Sequence, residues 1–184
     1  MQENEENLIR RAATGDSEAF GVLYDAYHPQ IYRFIFLKVS SKEDAEDLAH
    51  QVFMNALEHM PGYRHKGFPF SSWLYRIARN AVIDHYRTKK DRVSLEDADP
   101  EDFARGESIQ ADAHRALEIE KVRRAIKKLS PLHQDVIIMR FVEELAIREV
   151  AVALKKSEGA IKLLQHRAIT ELQRIISENE ESTK

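Results

Sequence analysis

The 184-residue chain contains no cysteine, which excludes a disulfide framework, a zinc–thiolate site and thiol chemistry. Glycine and proline are few, at six and five residues, whereas segments with helical periodicity are long, so we expect an all-α fold. No apolar run reaches the length of a membrane span, and the start, MQENEENLIRR, lacks the apolar core of a signal peptide. We therefore expect a cytoplasmic protein.

Motifs of the common enzyme classes are also missing. The eight histidines are scattered and form no H-E-x-x-H metal motif. We find no glycine-rich phosphate loop and no nucleophile elbow. The sequence therefore predicts neither an enzyme nor a metal site, and it implies no cofactor.

Charge is segregated along the chain, although the formal net charge is only -3. Between residues 64 and 92 there are eight basic residues and two acidic ones, Asp84 and Asp91. Residues 93–113 hold seven acidic residues against Arg105 alone. Such segregation is more informative about partners than the net charge, because a basic block can bind a polyanion locally.

The basic block contains an amphipathic helix, predicted from Phe68 to Arg92. Its apolar stripe is formed by Phe70, Leu74, Ile77 and Ala81, while another side carries cations and Asn80. Such a helix, with aromatic residues at its entrance, suits a nucleic-acid backbone with unstacked bases. Taken alone, a core helix with a solvated cationic face is the favoured interpretation.

Other helices are expected throughout, except in the acidic segment. The predicted ranges are Leu8–Ala13, Ser17–Val39 with a kink or restart at Pro29, Asp44–His59 with an acidic outer face, His114–Leu129, Pro131–Val142, Leu145–Leu154 and Glu158–Ile176. We expect the last residues, ENEESTK, to be loose. The pattern predicts two helical domains, 1–92 and 114–184, joined by a flexible acidic linker at 93–113.

A helix-turn-helix is predicted in the second domain, where helices 145–154 and 158–176 meet at a three-residue turn. In such a motif the second helix enters the major groove of DNA with its N-terminal residues. The candidate DNA contacts are Lys156, Ser157, Glu158, Ala160, Lys162, Gln165, His166 and Arg167. Many helical hairpins share this spacing, so a stand-alone helix-turn-helix regulator is one alternative and a plain hairpin another.

Several strings together resemble one protein family, the extracytoplasmic-function (ECF) sigma factors of bacterial RNA polymerase. They are DSEAFGVLYDAYHPQIYRFIF, KEDAEDLAHQVFMNAL, FSSWLYRIARNAVIDHYR, LSPLHQDVIIMRFVEELAIREVAVAL and SEGAIKLLQHRAITEL. The resemblance implies a protein that binds core RNA polymerase, directs it to promoter DNA and helps to melt that DNA. It also implies that an anti-sigma factor is a possible partner class.

The resemblance implies a role for each candidate site. Contacts to the polymerase clamp helices would come from Asp44, Asp47, Leu48, Gln51 and Phe53. The single-stranded -10 element would be held by Phe68, Arg76, Arg79, Asn80, Arg87, Lys89 and Lys90, with loop 62–70 helping to capture a flipped-out base. The helix-turn-helix residues named above would read the -35 element, and Trp73 would lie mostly in the core.

The recognition helix departs from the family pattern. After its cap the family commonly has Gly-Thr-Val-Lys-Ser-Arg, whereas this chain has Ala160 and Leu163 at the hydroxyl positions and Leu164 at the arginine. The turn glycine is replaced by Lys155, and the serine that caps the preceding helix is replaced by Ala146. The leucines could contact thymine methyl groups or a partner protein, and the sequence leaves both open.

Overall fold

The computed structural model describes residues 4–64, 67–93 and 113–181, and within them every regular element is helical. The first group of helices is α1 (Glu5–Ala13), α2 (Ser17–Phe36), α3 (Lys42–His59) and α4 (Phe70–Val93), with a 3-10 turn at Met60–Gly62. The second group is α5 (Ala113–Lys128), α6 (Pro131–Ile137), α7 (Ile147–Leu154) and α8 (Glu158–Glu181), with a π-helical turn at Ile138–Val142. The all-α prediction is confirmed.

Two expectations about the helices differ from the structure. A restart at Pro29 was one of the two outcomes predicted there, but α2 continues through Pro29 as a single helix, because the missing donor of Pro29 removes only one bond from a helix that is otherwise held by the core. Helix α8 continues to Glu181, so the segment from Glu178 to Glu181 extends the helix where a loose tail was expected. The predicted acidic linker lies outside the described residues, apart from Val93 and Ala113 at its ends.

Side-chain caps set the starts of several helices. Asp16 accepts hydrogen bonds from the Glu18 and Ala19 amides at 3.0 and 3.1 Å, and Ser41 Oγ accepts one from the Asp44 amide at 3.0 Å. The bonds from the Ala19 amide and the Arg11 guanidinium hold the pKa of Asp16 below its usual value. These caps confirm the start predicted at Asp16–Ser17 and move the start of α3 two residues upstream.

The N-terminal domain, residues 4–93 as described, is built around the apolar faces of α2, α3 and α4. Phe34, Ile31 and Ile35 of α2 are fully buried, as are Phe70 and Tyr75 of α4. The Tyr75 ring packs edge-on to Phe34 with centroids 5.4 Å apart. Because this core holds the back of α4, the opposite side of α4 is presented outward at a fixed angle.

The C-terminal domain, residues 113–181, packs α6, α7 and α8 around Val136, Met139 and Ile161, all of them fully buried. The two domains also contact each other directly. Helix α7 lies against α4, and Arg123 of α5 donates to the carbonyl oxygens of Phe36 and Val39, at 3.2 and 2.8 Å. The helix-turn-helix is therefore placed beside α4, the helix predicted to bind single-stranded DNA.

Candidate polymerase and nucleic-acid surfaces

A cleft of about 770 Å³ lies between α3 and α4. It is lined by Asp44, Leu48, Gln51, Asn55 and His59 of α3 and by Trp73, Ile77, Asn80, Ala81, Asp84, His85, Thr88 and Lys89 of α4. The cleft thus joins residues predicted to contact polymerase with Asn80 and Lys89, which were predicted to contact DNA.

Asn80 is exposed at this cleft and half-buried Trp73 forms one wall. The free amide of an asparagine can donate and accept, so it can read the edge of a base, while an indole offers a stacking surface. His85 Nε2 lies 3.7 Å from Asp44 Oδ2 and has no hydrogen-bond partner among the described residues. That nitrogen is buried, so the cleft combines an aromatic wall with the exposed amide of Asn80.

Among the residues of this cleft that were not predicted as site residues are Asn55 and His59. They follow Gln51 at intervals of four residues, so all three side chains lie on one side of α3. That spacing was visible in the sequence, but only the packing of α3 against α4 shows that this side lines the cleft.

A smaller cleft of about 300 Å³ lies under the loop between α3 and α4. It is lined by Gly62, Tyr63, Arg64, Phe68, Pro69, Ser72, Trp73, Arg76 and, from the C-terminal domain, Val152. The rings of Tyr63 and Trp73 are 4.6 Å apart, and Trp73 borders both clefts. Trp73 is therefore only partly a core residue, since part of its surface remains available at each cleft.

The cations of α4 differ in their availability. Arg76 is part-buried at the loop cleft, and Lys89 is exposed. Arg87 is exposed and pairs with Asp84 at 3.1 Å. Arg79 instead donates to Asp135 of α6 at 2.7 Å. The side chain of Lys90 lies outside the described residues.

The outer face of α3 carries some of the predicted polymerase contacts. Asp47 and Gln51 are exposed, but Leu48 and Phe53 are buried, at 7% and 3% exposure. The Phe53 ring packs against Tyr24 with centroids 4.7 Å apart, so in this structure it supports α3 from inside the domain. The exposed apolar residues of α3 are instead Met54 and Leu57, which sequence reasoning missed.

Helices α7 and α8 form the predicted three-residue turn. Lys155 adopts the left-handed conformation, with φ of 53°, and the Lys156 amide donates to the Ala151 carbonyl at 2.9 Å. At the start of α7, the Glu149 carboxylate accepts a hydrogen bond from the Ala146 amide at 2.6 Å. This bond satisfies one of the backbone N–H groups that have no partner within the helix. The turn keeps its geometry without the usual glycine and serine.

The N-terminal part of α8 presents several predicted DNA contacts. Those that are exposed are Lys156, Ser157, Glu158, Lys162, His166 and Arg167. Ala160 is part-buried, and Gln165 accepts a hydrogen bond from Arg140 Nε at 2.9 Å. Leu164 packs against the core whereas Leu163 is 50% exposed, so Leu163 is the leucine that faces outward.

The part of the chain that the structure describes holds neither a membrane-spanning helix nor a metal cluster. No helix there is both long enough and apolar enough to cross a bilayer. In the same residues, no three histidine or acidic side chains are grouped in a way that would hold a metal ion.

Comparison with protein families gives two matches, in chain order. The model of sigma-70 region 2 matches residues 23–92, which include α3, α4 up to Arg92 and every lining residue of the two clefts except Val152. The model of sigma-70 region 4 matches residues 125–174, which include the helix-turn-helix.

Similar curated proteins include the ECF RNA polymerase sigma factor BldN of Streptomyces coelicolor, 35% identical over 94% of this chain and 66% of the relative. The ECF RNA polymerase sigma factor SigX of Bacillus subtilis is 34% identical over 85% of this chain and 83% of its own. SigW of the same organism is 31% identical over 86% of this chain and 89% of SigW.

Solved structures with the same fold include CnrH in complex with the cytosolic domain of CnrY, with a TM-score of 0.73 and 22% identity over 94% of this chain and 97% of CnrH. The sigma factor RpoE in complex with the anti-sigma factor NepR, from Bartonella quintana, has a TM-score of 0.72 and 22% identity over 86% of this chain and 96% of RpoE. Both likenesses concern the fold. On the family models and the sequence relatives, this chain belongs to the ECF RNA polymerase sigma factors.

Proposed function

We propose that this protein is an alternative sigma factor that binds core RNA polymerase, directs it to promoters and helps to open the DNA. The observation that carries the proposal is the exposed Asn80 at the α3–α4 cleft, in a chain that also holds a helix-turn-helix. One element suits a melted strand and the other a duplex. The chain itself would contribute binding, with the chemistry of transcription left to the polymerase, in the cytoplasm.

Core polymerase would bind the outer face of α3. Asp44, Asp47 and Gln51 are the predicted polar contacts, and Asp47 and Gln51 are exposed. Met54 and Leu57, at 53% and 44% exposure, add the apolar area that a protein interface usually has at its centre. Leu48 and Phe53 would act indirectly, by holding α3 against its own domain.

The -10 element would be held as a single strand at α4. A base turned out of the stack would enter the α3–α4 cleft, where Trp73 offers a stacking surface and Asn80 hydrogen-bonding groups. Unstacking costs roughly a few kcal/mol, which contacts in the cleft must offset. Arg76, Arg87, Lys89 and Lys90 would neutralise phosphates, and Phe68 would lie at the loop.

The -35 element would be read by the start of α8. Lys162 and Arg167 are exposed and can neutralise phosphates, together with Lys156 at the turn. His166 can donate to a base or phosphate, and Leu163, which is exposed, would contact a thymine methyl group. An unusual -35 sequence is expected, because no hydroxyl or arginine stands at the replaced positions.

A stand-alone helix-turn-helix regulator is not favoured. Such a regulator would use α7 and α8, but it would not explain the α3–α4 cleft or the match to sigma-70 region 2. An anti-sigma factor stays a prediction drawn from the family resemblance.

The decisive experiment is in vitro transcription with purified core polymerase and a genomic DNA library, with sequencing of the transcript starts. Addition of the protein should give new starts that share two promoter boxes, one upstream of the other. Association with core polymerase should be seen by gel filtration. A protein that ignores core polymerase and shifts duplex DNA by itself would contradict the proposal and support the regulator.

A further inference from the structure

Helix α1 contacts both ends of the loop between α3 and α4. At the start of the loop, α1 packs against the 3-10 turn Met60–Gly62. At the end of the loop, the Glu5 carboxylate accepts a hydrogen bond from the backbone amide of Phe70, the first residue of α4, at 3.4 Å. The apolar side of α1 is anchored in the core, where Ile9 and Ala12 are each 3% exposed. Glu5 is therefore presented to the loop by a helix that is itself fixed.

The start of α4 depends on Glu5 because the local sequence offers no side-chain cap. The residue before Phe70 is Pro69, whose side chain has no oxygen that could accept from a helix amide. The first turn of α4 carries no acidic residue either. The free amides at a helix N-terminus carry a partial positive charge, which a carboxylate stabilises. Glu5, 65 positions earlier in the chain, supplies both the acceptor and the charge.

An aromatic cluster connects this hydrogen bond to the two clefts. The Phe70 ring lies edge-on to the rings of Tyr27 and Tyr63, with centroids 5.5 and 5.4 Å apart, and its centroid is 5.3 Å from that of Trp73. Burial, followed by the charge of Glu5, raises the pKa of both Tyr27 and Tyr63, as expected of a carboxylate close to these rings. Tyr63 lines the loop cleft and Trp73 borders both clefts. A shift of Phe70 would therefore move the walls of both clefts.

We propose that Glu5 is a positioning residue for capture of the -10 strand, which fixes the start of α4 and, through the ring of Phe70, the place of Trp73 at the two clefts. Its purpose in strand capture rests on the proposed function, whereas its effect on Trp73 is a property of the free chain. Glu5 acts through the backbone of α4 and not by contact with DNA, because a carboxylate repels phosphates. The N-terminal helix thus contributes to promoter opening from behind the DNA-binding helix.

The first test measures the surroundings of Trp73 in the free chain. Trp73 is the single tryptophan, so intrinsic fluorescence reports on this side chain alone. Glu5→Ala should increase quenching by acrylamide and shift the emission to longer wavelength, because the Phe70 ring is held less firmly. Glu5→Gln keeps an acceptor for the Phe70 amide and should recover most of the parent signal. Glu6→Ala makes the same truncation at the next exposed position of α1 and should change neither value.

The second test measures strand capture by the holoenzyme. The DNA is a fork junction with a single-stranded -10 box, taken from the promoters that transcript sequencing identifies. Glu5→Ala should lower the affinity for this fork by about fivefold, the change expected from loss of one helix cap. Affinity for core polymerase and for a duplex that carries the -35 box alone should not change, whereas a general loss of stability would lower all three affinities. Glu5→Gln should restore most of the affinity for the fork.

The outcomes separate this role from the proposed function. Unchanged quenching of Trp73 in folded Glu5→Ala, or unchanged affinity for the fork in a chain that does transcribe, would overturn the role of Glu5. If Glu5→Ala loses helical circular dichroism, Glu5→Asp carries the same test, because its shorter side chain draws the carboxylate away from the Phe70 amide. If the parent chain does not transcribe with core polymerase, the proposed function fails, and the quenching of Trp73 still decides whether Glu5 positions α4.

Discussion

Arg140 holds Gln165 through a hydrogen bond of 2.9 Å from its Nε to the side-chain oxygen of the glutamine. The same guanidinium also donates to the carbonyl of Leu145, just before α7. Arg140 therefore ties the proposed recognition helix α8 to the segment that precedes the helix-turn-helix. Gln165, predicted from the sequence as a DNA contact, keeps its amide hydrogens for DNA but has its oxygen engaged within the protein.

Replacing Gln165 by glutamate should separate stability from DNA binding. The bond from the Arg140 guanidinium becomes an ion pair with a charged acceptor, so the free energy of unfolding should rise by up to about 1 kcal/mol. The new negative charge faces the DNA phosphates, so affinity for promoter duplex should fall by roughly tenfold, or ~1.4 kcal/mol. Urea denaturation and filter binding of the holoenzyme measure the two effects. Gln173→Glu, exposed further along α8, is the matched control and should show neither.

Asp47→Arg should weaken association with core polymerase. Asp47 is exposed on α3, and reversal of its charge would place like charges together at the proposed interface. We expect a loss of about tenfold or more in a competition assay against a second sigma factor. Asp25→Arg makes the same change on α2 and should leave core affinity intact. If both variants bound core polymerase with equal affinity, α3 would not be the polymerase contact.

Asn80→Ala should impair DNA opening and leave core binding unchanged. The side chain is exposed at the α3–α4 cleft, so its truncation removes hydrogen bonds to a captured base without a void in the core. The expected cost is about 1–3 kcal/mol, which is a loss of roughly tenfold to a hundredfold in open-complex formation. Permanganate footprinting of the melted strand measures it. A parallel loss of core binding would indicate a folding defect, and Gln173→Ala should have no effect on either measurement.

Lys162→Ala should lower promoter affinity and make it less dependent on salt. Lys162 is exposed near the start of α8, where a phosphate contact would release about one counterion. The slope of log affinity against log salt should therefore become shallower by about one. Arg174→Ala, which removes a cation paired with Glu178 about three turns further along α8, should keep the slope. If the slope of log affinity against log salt were unchanged in Lys162→Ala, the DNA-facing surface would lie elsewhere.

Local features of the sequence were enough to predict the helices and the family. Helix periodicity and caps depend on residues within four positions of each other, so Asp16 and Ser130 marked two helix starts directly. The motif strings predicted the sigma-factor family, and the family comparisons confirmed it. Of the kink or restart predicted at Pro29, the restart does not occur, because the core can hold a helix across one missing hydrogen bond.

Tertiary structure decided which predicted residues are available. Phe53 and Met54 are neighbours in sequence, yet packing against Tyr24 buries the first while the second stays exposed. Arg79 and Asp135 are 56 positions apart, so no periodicity or motif could pair them. The sequence by itself determined the helices and the family, because these depend on local spacing, and it predicted the two candidate DNA-binding elements. Only the packing of the two domains decided that Asp135 occupies Arg79 and that α7 borders the loop cleft, because burial and charge pairing depend on neighbours in space.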